Sequence, residues 1–282
     1  MRMGLSTPVV VQVPGVASPW EAEAGIDDLA RIAAAADNFG FDYLTCSEHV
    51  AIPSADAATR GAVYWDPLAT LGFLAAHTRR IRLATSVLVL GYHHPLEIAK
   101  RYGTLDKVSA GRLVLGVGIG SLEEEFGLIG APWRQRAARA DDALRALRTS
   151  LSSATPRYRG PFYAYEGMTV LPHAQQERVP IWVGGRSAGS LRRAVELADG
   201  WMPFGLASGE VRTLLSGVDL PPEFDVLLST AVDPEADPAG TRTAIAALQD
   251  AGATAITCAV RADNARHYCD QLARLRDIQE EQ

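Results

Sequence analysis

Two adjacent residues, Glu48 and His49, have side chains suited to proton transfer. An imidazole beside a carboxylate can hydrogen-bond a polar group and carry a proton near neutral pH. The pair follows residues 43–47, an apolar run typical of a buried strand, so it stands at a strand end. A histidine in that place is more often a satisfied surface residue than a catalyst. With both interpretations open, Glu48 and His49 are our candidate catalytic residues.

A second group, Gly184, Gly185, Arg186 and Ser187, separates a strand-like run from a helical one. Glycines there let backbone N–H groups converge, a helix N-terminus supplies positive potential, and the two side chains add donors, which together suit a phosphate. The alternative is that Ser187 is a simple N-cap and the glycines serve a tight turn. Because barrels commonly hold phosphates on their later strand-to-helix loops, we favour the anion site.

Three glycines, Gly116, Gly118 and Gly120, alternate along the apolar run 112–120 and therefore share one face of a strand. They do not form the dinucleotide fingerprint G-x-G-x-x-G, because Ser121 occupies the position of the third glycine. The absence of side chains on one face indicates that something flat or bulky lies against the backbone. An equally good interpretation is that small residues fit a crowded barrel interior.

The elements that must position these residues alternate along the chain. Residues 81–90 and 112–120 have the pattern of buried strands joined by a helix, a βαβ unit. Over the whole chain, eight strand-like runs alternate with helical patterns. This predicts an α/β fold, a closed (β/α)8 TIM barrel, with an open doubly wound sheet as the runner-up. In either architecture ligands bind at the carboxyl ends of the strands, so the groups above converge there.

Helix starts and an insertion complete the predicted organisation. Ser18-Pro19-Trp20-Glu21 has an N-cap residue, a first-turn proline and a capping-box glutamate, which predicts a helix over 18–38. Asp66-Pro67 begins another helix by the same logic. We expect one domain over residues 1–282, with an inserted excursion at about 152–180, between strands four and five, that contains a small hairpin.

Composition excludes several other classes of protein. The chain has 282 residues and a net charge of −6, and its 27 Lys and Arg form no basic run, so nucleic acid is not an expected partner. No apolar stretch approaches the roughly 18 residues of a membrane span, and no signal peptide is recognisable. Three widely spaced cysteines are typical of reduced thiols in a cytoplasmic protein. The absence of metal-ligand spacing and of a Gly-x-Ser-x-Gly elbow disfavours hydrolytic chemistry.

Several segments together resemble the luciferase-like monooxygenase superfamily, specifically its branch that uses the deazaflavin coenzyme F420. The matching pieces keep the family's order and cover roughly residues 3–204. They are Ser47-Glu48-His49-Val50, Thr85-Ser86-Val87-Leu88-Val89, His94-Pro95, Gly111-Arg112-Leu113, Gly116-Val117-Gly118-Ile119-Gly120, Glu124-Glu125-Phe126, Gly130-Ala131-Pro132, Ile181-Trp182-Val183-Gly184-Gly185 and Ala198-Asp199-Gly200-Trp201.

The resemblance implies a barrel that binds a tricyclic ring in its mouth and often forms a homodimer. In such relatives a non-proline cis peptide lies behind the ring, and the matching bond is Ser86-Val87. Residues similar to Glu48 and His49 contact the deazaflavin, and in some members the histidine assists proton transfer to substrate. The predicted cofactor-binding residues are Ser86, Val87, Gly116, Gly118, Gly120, Ser121, Gly184, Gly185, Arg186 and Ser187.

The function implied by the resemblance is hydride transfer between C5 of the deazaflavin and a small-molecule substrate. Two alternatives stay open: an FMN-dependent monooxygenase that activates oxygen on the same barrel, and a non-catalytic flavin- or deazaflavin-binding protein. The chain also departs from the family pattern. Glu48 stands where many relatives have Asp, and Gly91-Tyr92-His93 stands where a Pro-Tyr-Arg run is common.

Overall fold

A computed structural model describes residues 1–281 and shows a closed parallel barrel. The barrel strands of this part of the chain are β1 (Arg2–Ser6), β2 (Tyr43–Cys46), β3 (Arg82–Thr85), β4 (Leu113–Gly118), β5 (Ile181–Gly184), β6 (Gly200–Met202), β7 (Asp225–Val232) and β8 (Ala255–Val260). Each strand pairs in parallel with the next, and the pairing of β8 with β1 closes the ring. The predicted (β/α)8 TIM barrel is confirmed, and the open sheet is wrong.

A helix of eight to sixteen residues follows each strand, and the helices cover the outside of the barrel. These helices are α1 (Ile26–Asn38), α2 (Pro67–His77), α3 (Pro95–Val108), α4 (Arg136–Ser150), α5 (Ala188–Leu197), α6 (Ser208–Leu215), α7 (Pro238–Asp250) and α8 (Ala265–Glu280). The predicted start at Asp66-Pro67 is confirmed, since the Asp66 carboxylate accepts a hydrogen bond from the Ala69 N–H at 2.8 Å. Across residues 1–281 no helix has the length and apolarity needed to cross a membrane.

The strands are buried on both faces because they separate two apolar layers. All four residues of β2 and all six of β4 are buried, which explains their continuous apolar runs. The inner layer fills the barrel itself and consists of Tyr43, Ala84, Val114, Trp182, Leu227 and Ala255. Gly4 lies under the Tyr43 ring, since a Cβ added there would come within 2.2 Å of it. The larger outer layer lies between strands and helices.

The helix predicted over 18–38 is wrong at its start. Pro19–Ala22 forms a separate 3-10 turn, and α1 begins only at Ile26. The Glu21 carboxylate accepts hydrogen bonds from the Ser18 and Val9 N–H groups, both at 2.7 Å, so it ties the turn to the loop after β1. The capping-box pattern was real, but it caps one turn instead of a long helix.

Short elements on the loops around the barrel mouth complete the fold. Strand β3 stops at Thr85, and the chain resumes pairing with β4 only at Leu88–Val89. A short helix, Glu123–Leu128, follows β4. The predicted hairpin in the insertion is present, formed by Tyr158–Arg159 and Ala164–Tyr165.

Candidate functional site

The barrel brings most of the predicted site residues to one end. Cys46 at the end of β2 pairs with Thr85 at the end of β3, and Val117 of β4 pairs with Val183 of β5. Residues just after these positions therefore stand together at the mouth. This places the 47–49, 86–87, 118–121 and 184–187 segments in one neighbourhood, as the sequence predicted.

The Ser86-Val87 peptide bond is cis and forms a bulge between β3 and Leu88–Val89. The Ser86 N–H donates to the Cys46 carbonyl at 2.8 Å, and the Ser47 hydroxyl donates to the Ser86 carbonyl at 2.6 Å. Ser86 and Val87 are half-buried, whereas the residues on either side of them are buried. The bulge is thus the part of this strand that remains accessible at the mouth.

The glycines of β4 and β5 make room for the protein's own atoms. A Cβ on Gly118 would lie 2.7 Å from Cγ2 of Val87, and one on Gly184 would lie 2.8 Å from Cγ1 of the same residue. At Gly116 the added atom would lie 2.0 Å from the Thr85 carbonyl oxygen. These glycines therefore seat the bulge, which agrees with a crowded barrel interior. Their contact with a cofactor ring stays a prediction.

The end of the glycine run has a different surrounding. Gly120 has a φ of +80°, and a Cβ there would lie 2.4 Å from the Phe126 ring. The next residue, Ser121, is exposed. Gly120 thus permits both the turn that follows β4 and the close approach of Phe126.

The Glu48 side chain is hydrogen-bonded to the segment after the bulge and not to the His49 side chain. Its carboxylate is 8% exposed and accepts hydrogen bonds from the Val89 N–H at 2.6 Å and from Nε2 of His93 at 2.7 Å. Its own N–H donates to the Val87 carbonyl at 3.3 Å. With both carboxylate oxygens engaged, Glu48 has the geometry of a positioning residue, and its predicted catalytic role gains no support.

His49 pairs instead with Glu125, from the short helix after β4. Nδ1 of His49 lies 2.9 Å from Oε2 of Glu125, and since an ionised carboxylate only accepts, Nδ1–H is the donor. Nε2 has no hydrogen-bond partner in the described part of the chain, and the side chain is 21% exposed. The Tyr64 ring packs edge-on against the imidazole with 4.5 Å between centres. The imidazole is therefore oriented, and one nitrogen remains free.

Glu125 is a buried hub of hydrogen bonds. It is 1% exposed and accepts from the Tyr92 hydroxyl at 2.6 Å, from His49, and from the N–H groups of Val50 and Ala51. Burial raises the pKa of Glu125, but the hydrogen bonds from Tyr92, His49 and Val50 outweigh it and hold the pKa below its usual value. Glu125 is thus an ionised carboxylate at neutral pH.

Sequence reasoning did not single out Glu125 as a site residue, although a signal was present. It lies in an acidic run, Glu123 to Glu125, which resembles a solvated face. Yet Leu122, Glu125 and Phe126 share helical spacing, and all three are buried. An acidic residue on the apolar stripe of a helix indicates a buried partner, and that partner is His49.

The 184–187 loop combines both interpretations offered by the sequence. Ser187 is the N-cap of α5, and its hydroxyl accepts from the Ser190 N–H at 3.2 Å. The N–H groups of Ala188 and Gly189 have no acceptor within residues 1–281, and Arg186 is exposed. The loop therefore has free donors at a helix N-terminus, and phosphate binding stays a prediction.

A cavity of about 490 Å³ opens at the opposite end of the barrel, where the strands begin. Its lining includes Arg2 with Asp225, and Arg178 with Asp199, and each pair forms a salt bridge. In barrels this end serves stability, whereas chemistry lies at the carboxyl ends of the strands. The mouth with His49 and Glu125 is therefore the candidate active site.

Comparison with known proteins agrees with this geometry. The sequence model of a family described as luciferase-like monooxygenase matches residues 1–265. The chain belongs to this family. Among relatives of this luciferase-like chain, the F420-dependent glucose-6-phosphate dehydrogenase of Nakamurella multipartita is 32% identical over 200 residues, which are 70% of the chain and 57% of that enzyme. The match thus spans little more than half of that relative.

Two solved structures share the luciferase-like fold along nearly their whole length. Monooxygenase RslO1 from Streptomyces bottropensis has a TM-score of 0.79 and 22% identity, covering 100% of this chain and 99% of its own. The coenzyme F420 dependent tetrahydromethanopterin reductase from Methanopyrus kandleri has a TM-score of 0.71 and 15% identity, covering 97% and 98%. At these identities the likeness shows the fold alone.

Proposed function

We propose that this luciferase-like protein is a coenzyme F420-dependent oxidoreductase that moves a hydride between C5 of the deazaflavin and a carbon atom of a small organic substrate. The observation that carries the proposal is the His49–Glu125 pair, with Nδ1 held by a buried carboxylate and Nε2 free. Hydride transfer at a carbon that bears oxygen also needs a proton carrier, which this pair supplies. Relatives named as F420-dependent dehydrogenases support the choice of cofactor.

The residues at the mouth fit such a cofactor. The half-buried Ser86-Val87 bulge carries two short side chains, and that of Val87 packs towards Gly118 and Gly184. The unpaired N–H groups at the start of α5, with Arg186, would hold the phosphate. The bound deazaflavin supplies the hydride donor or acceptor, and the protein supplies position and electrostatics.

His49 handles the proton. Because Nδ1–H donates to Glu125, the lone pair of the neutral imidazole lies on Nε2. Nε2 accepts the hydroxyl proton when an alcohol is oxidised to a carbonyl compound, and it returns that proton in the reverse direction. The ionised Glu125 stabilises the imidazolium that forms and keeps the ring in place. Substrates with a C–OH or C=O group therefore suit the site best.

A side-by-side equilibrium titration with F420 and FMN, followed by cofactor fluorescence, tests the cofactor. We expect saturable binding of F420 and much weaker binding of FMN. A panel of small alcohols is then added to the F420-bound protein, and loss of oxidised-cofactor absorbance is expected with at least one. Preference for FMN would favour the FMN-dependent monooxygenase, whereas tight F420 binding without turnover would favour a non-catalytic binding protein. The homodimer and the cytoplasmic location also stay predictions.

A further inference from the structure

Two arginines near the beginning of α4, Arg136 and Arg139, lie over aromatic rings. The guanidinium carbon of Arg136 is 3.6 Å from the centre of the Trp133 ring, and that of Arg139 is 4.7 Å from the centre of the Phe162 ring. The Nε atom of each is buried and has no hydrogen-bond partner in the part of the chain described. Residues three apart share a helix face, so the two cations are neighbours.

The neighbouring acidic side chains are committed to other partners. Asp141 forms an ion pair with Arg193 of α5, and Asp142 accepts hydrogen bonds from the Tyr158 hydroxyl and the Phe162 N–H. Within residues 1–281, neither Arg136 nor Arg139 forms a salt bridge.

The placement of these charges is unfavourable for the helix itself. The N-terminal end of a helix carries partial positive charge and favours acidic side chains, yet the first turn of α4 contains none. Proteins depart from such local stability preferences mainly at functional sites. Two stacked guanidinium groups without a carboxylate partner at that end fit a ligand that brings negative charge.

Contacts along the mouth connect these arginines to the candidate active site. The centres of the Trp133 and Phe126 rings are 5.1 Å apart, and those of the Phe126 and Tyr92 rings are 4.9 Å apart. The Tyr92 hydroxyl in turn donates a hydrogen bond to Glu125. On the other side, Arg193 of α5 donates to the Ala137 carbonyl of α4 at 3.4 Å. The beginning of α4 therefore packs against the middle of α5, whose N-terminal end is the predicted phosphate site.

We propose that Arg136 and Arg139 bind the carboxylates of the cofactor's oligoglutamate tail after it leaves the phosphate at the start of α5. The proposal rests on the proposed function, because it needs F420 at the mouth. A chain with several carboxylates matches two adjacent cations better than a single acidic group does. An acidic group on the substrate has the same chemistry, and the experiment separates the two sources.

The test measures dissociation constants by fluorescence for two forms of the cofactor, one with its oligoglutamate tail and one that ends at the phosphate. The variants are the double substitution Arg136→Gln/Arg139→Gln and, as a matched control on the same helix, Arg145→Gln at an exposed position. Wild-type protein is expected to bind the tailed form about tenfold more tightly, as two partly exposed charge-assisted contacts allow. Rising salt should reduce that preference.

The double variant should lose the preference and keep its affinity for the glutamate-free form, while the Arg145 control keeps both. An unchanged preference in a double variant that melts like wild type overturns the tail site, whatever its effect on substrate KM. Equal binding of both forms by wild type overturns it as well and leaves the proposed function intact. If neither form binds, the cofactor assignment and the tail site fail together. The variant Arg136→Lys/Arg139→Lys should retain part of the preference for the tailed form, because it keeps the positive charges and loses the planar guanidinium groups that stack on the aromatic rings.

Discussion

Two histidine–glutamate pairs lie at the mouth of the barrel, and they differ in which ring nitrogen is hydrogen-bonded to the carboxylate. The Glu125 carboxylate accepts a hydrogen bond from Nδ1 of His49, and Nε2 of that ring is free. The Glu48 carboxylate accepts a hydrogen bond from Nε2 of His93. Nδ1 of the same ring lies 3.8 Å from Oε1 of Glu97. One imidazole can therefore exchange a proton with a ligand, and the other has a carboxylate near each of its nitrogens.

The other hydrogen bonds of the two carboxylates support the same distinction between the pairs. Glu48 also accepts the Val89 N–H, so its pair fixes the strand segment after the bulge. Glu125 accepts from Tyr92 and from the backbone that follows His49, so its pair fixes the histidine. The chemical composition of the two pairs is the same, and the atoms left unengaged decide what each can do.

Removing each imidazole in turn gives the largest expected contrast. His49→Ala should lower kcat by about 10²- to 10⁴-fold, the usual contribution of a positioned general base, with little change in the cofactor dissociation constant. His93→Ala should lower thermal stability more than kcat, because it leaves Glu48 with a buried, unpaired oxygen. Steady-state kinetics and cofactor titration on both variants provide the measurement. A turnover that survives His49→Ala would rule out proton transfer by this residue.

Neutralising Glu125 should have an intermediate effect. Glu125→Gln removes the charge that stabilises the imidazolium, so kcat should fall by about tenfold or more, and the free energy of unfolding should fall by about 1 to 3 kcal/mol at neutral pH. Because the folded pKa of Glu125 is lowered, its contribution is present above the unfolded pKa of about 4.3 and disappears as pH falls through the folded value.

The stability difference between wild type and Glu125→Gln should therefore shrink below about pH 4. Urea unfolding at several pH values measures it, and the tenfold kinetic effect is assayed at pH 7. A difference that stays constant down to pH 3 would mean that Glu125 carries no lowered pKa.

Glu48→Gln should have the smallest effect on turnover. The glutamine oxygen can still accept the Val89 N–H, and its NH2 group can donate to Nε2 of His93 once the imidazole takes its other tautomer. The bond to His93 then loses its charge and reverses direction, so we expect a stability loss of about 1 to 2 kcal/mol. Melting curves and kcat of Glu48→Gln and Glu125→Gln are compared directly. If the Glu48 variant loses more turnover than the Glu125 variant, the roles of the two pairs are reversed.

The fold could be predicted because its signals are local. Buried strands have continuous apolar runs in the sequence, and Asp66-Pro67 correctly predicts a helix start.

The site was predicted only in part. Glu48 and His49 are adjacent and invite pairing, but each has its partner elsewhere, at sequence separations of 45 and 76 residues. Which carboxylate reaches which nitrogen depends on how three loops pack, and no local pattern contains that information. The same limit explains the start of α1, where the distant Val9 N–H engages Glu21.

The hydrogen bonds of Glu125 also bear on how this barrel could be re-engineered. Loops at the mouth of such barrels are often treated as modules that can be exchanged singly, because each is anchored on its own strand. Here one carboxylate joins the loops after β2, β3 and β4, through His49, Tyr92 and the short helix Glu123–Leu128. A graft that replaces any one of them breaks the junction, so a transplant of the chemistry to another barrel has to move all three together.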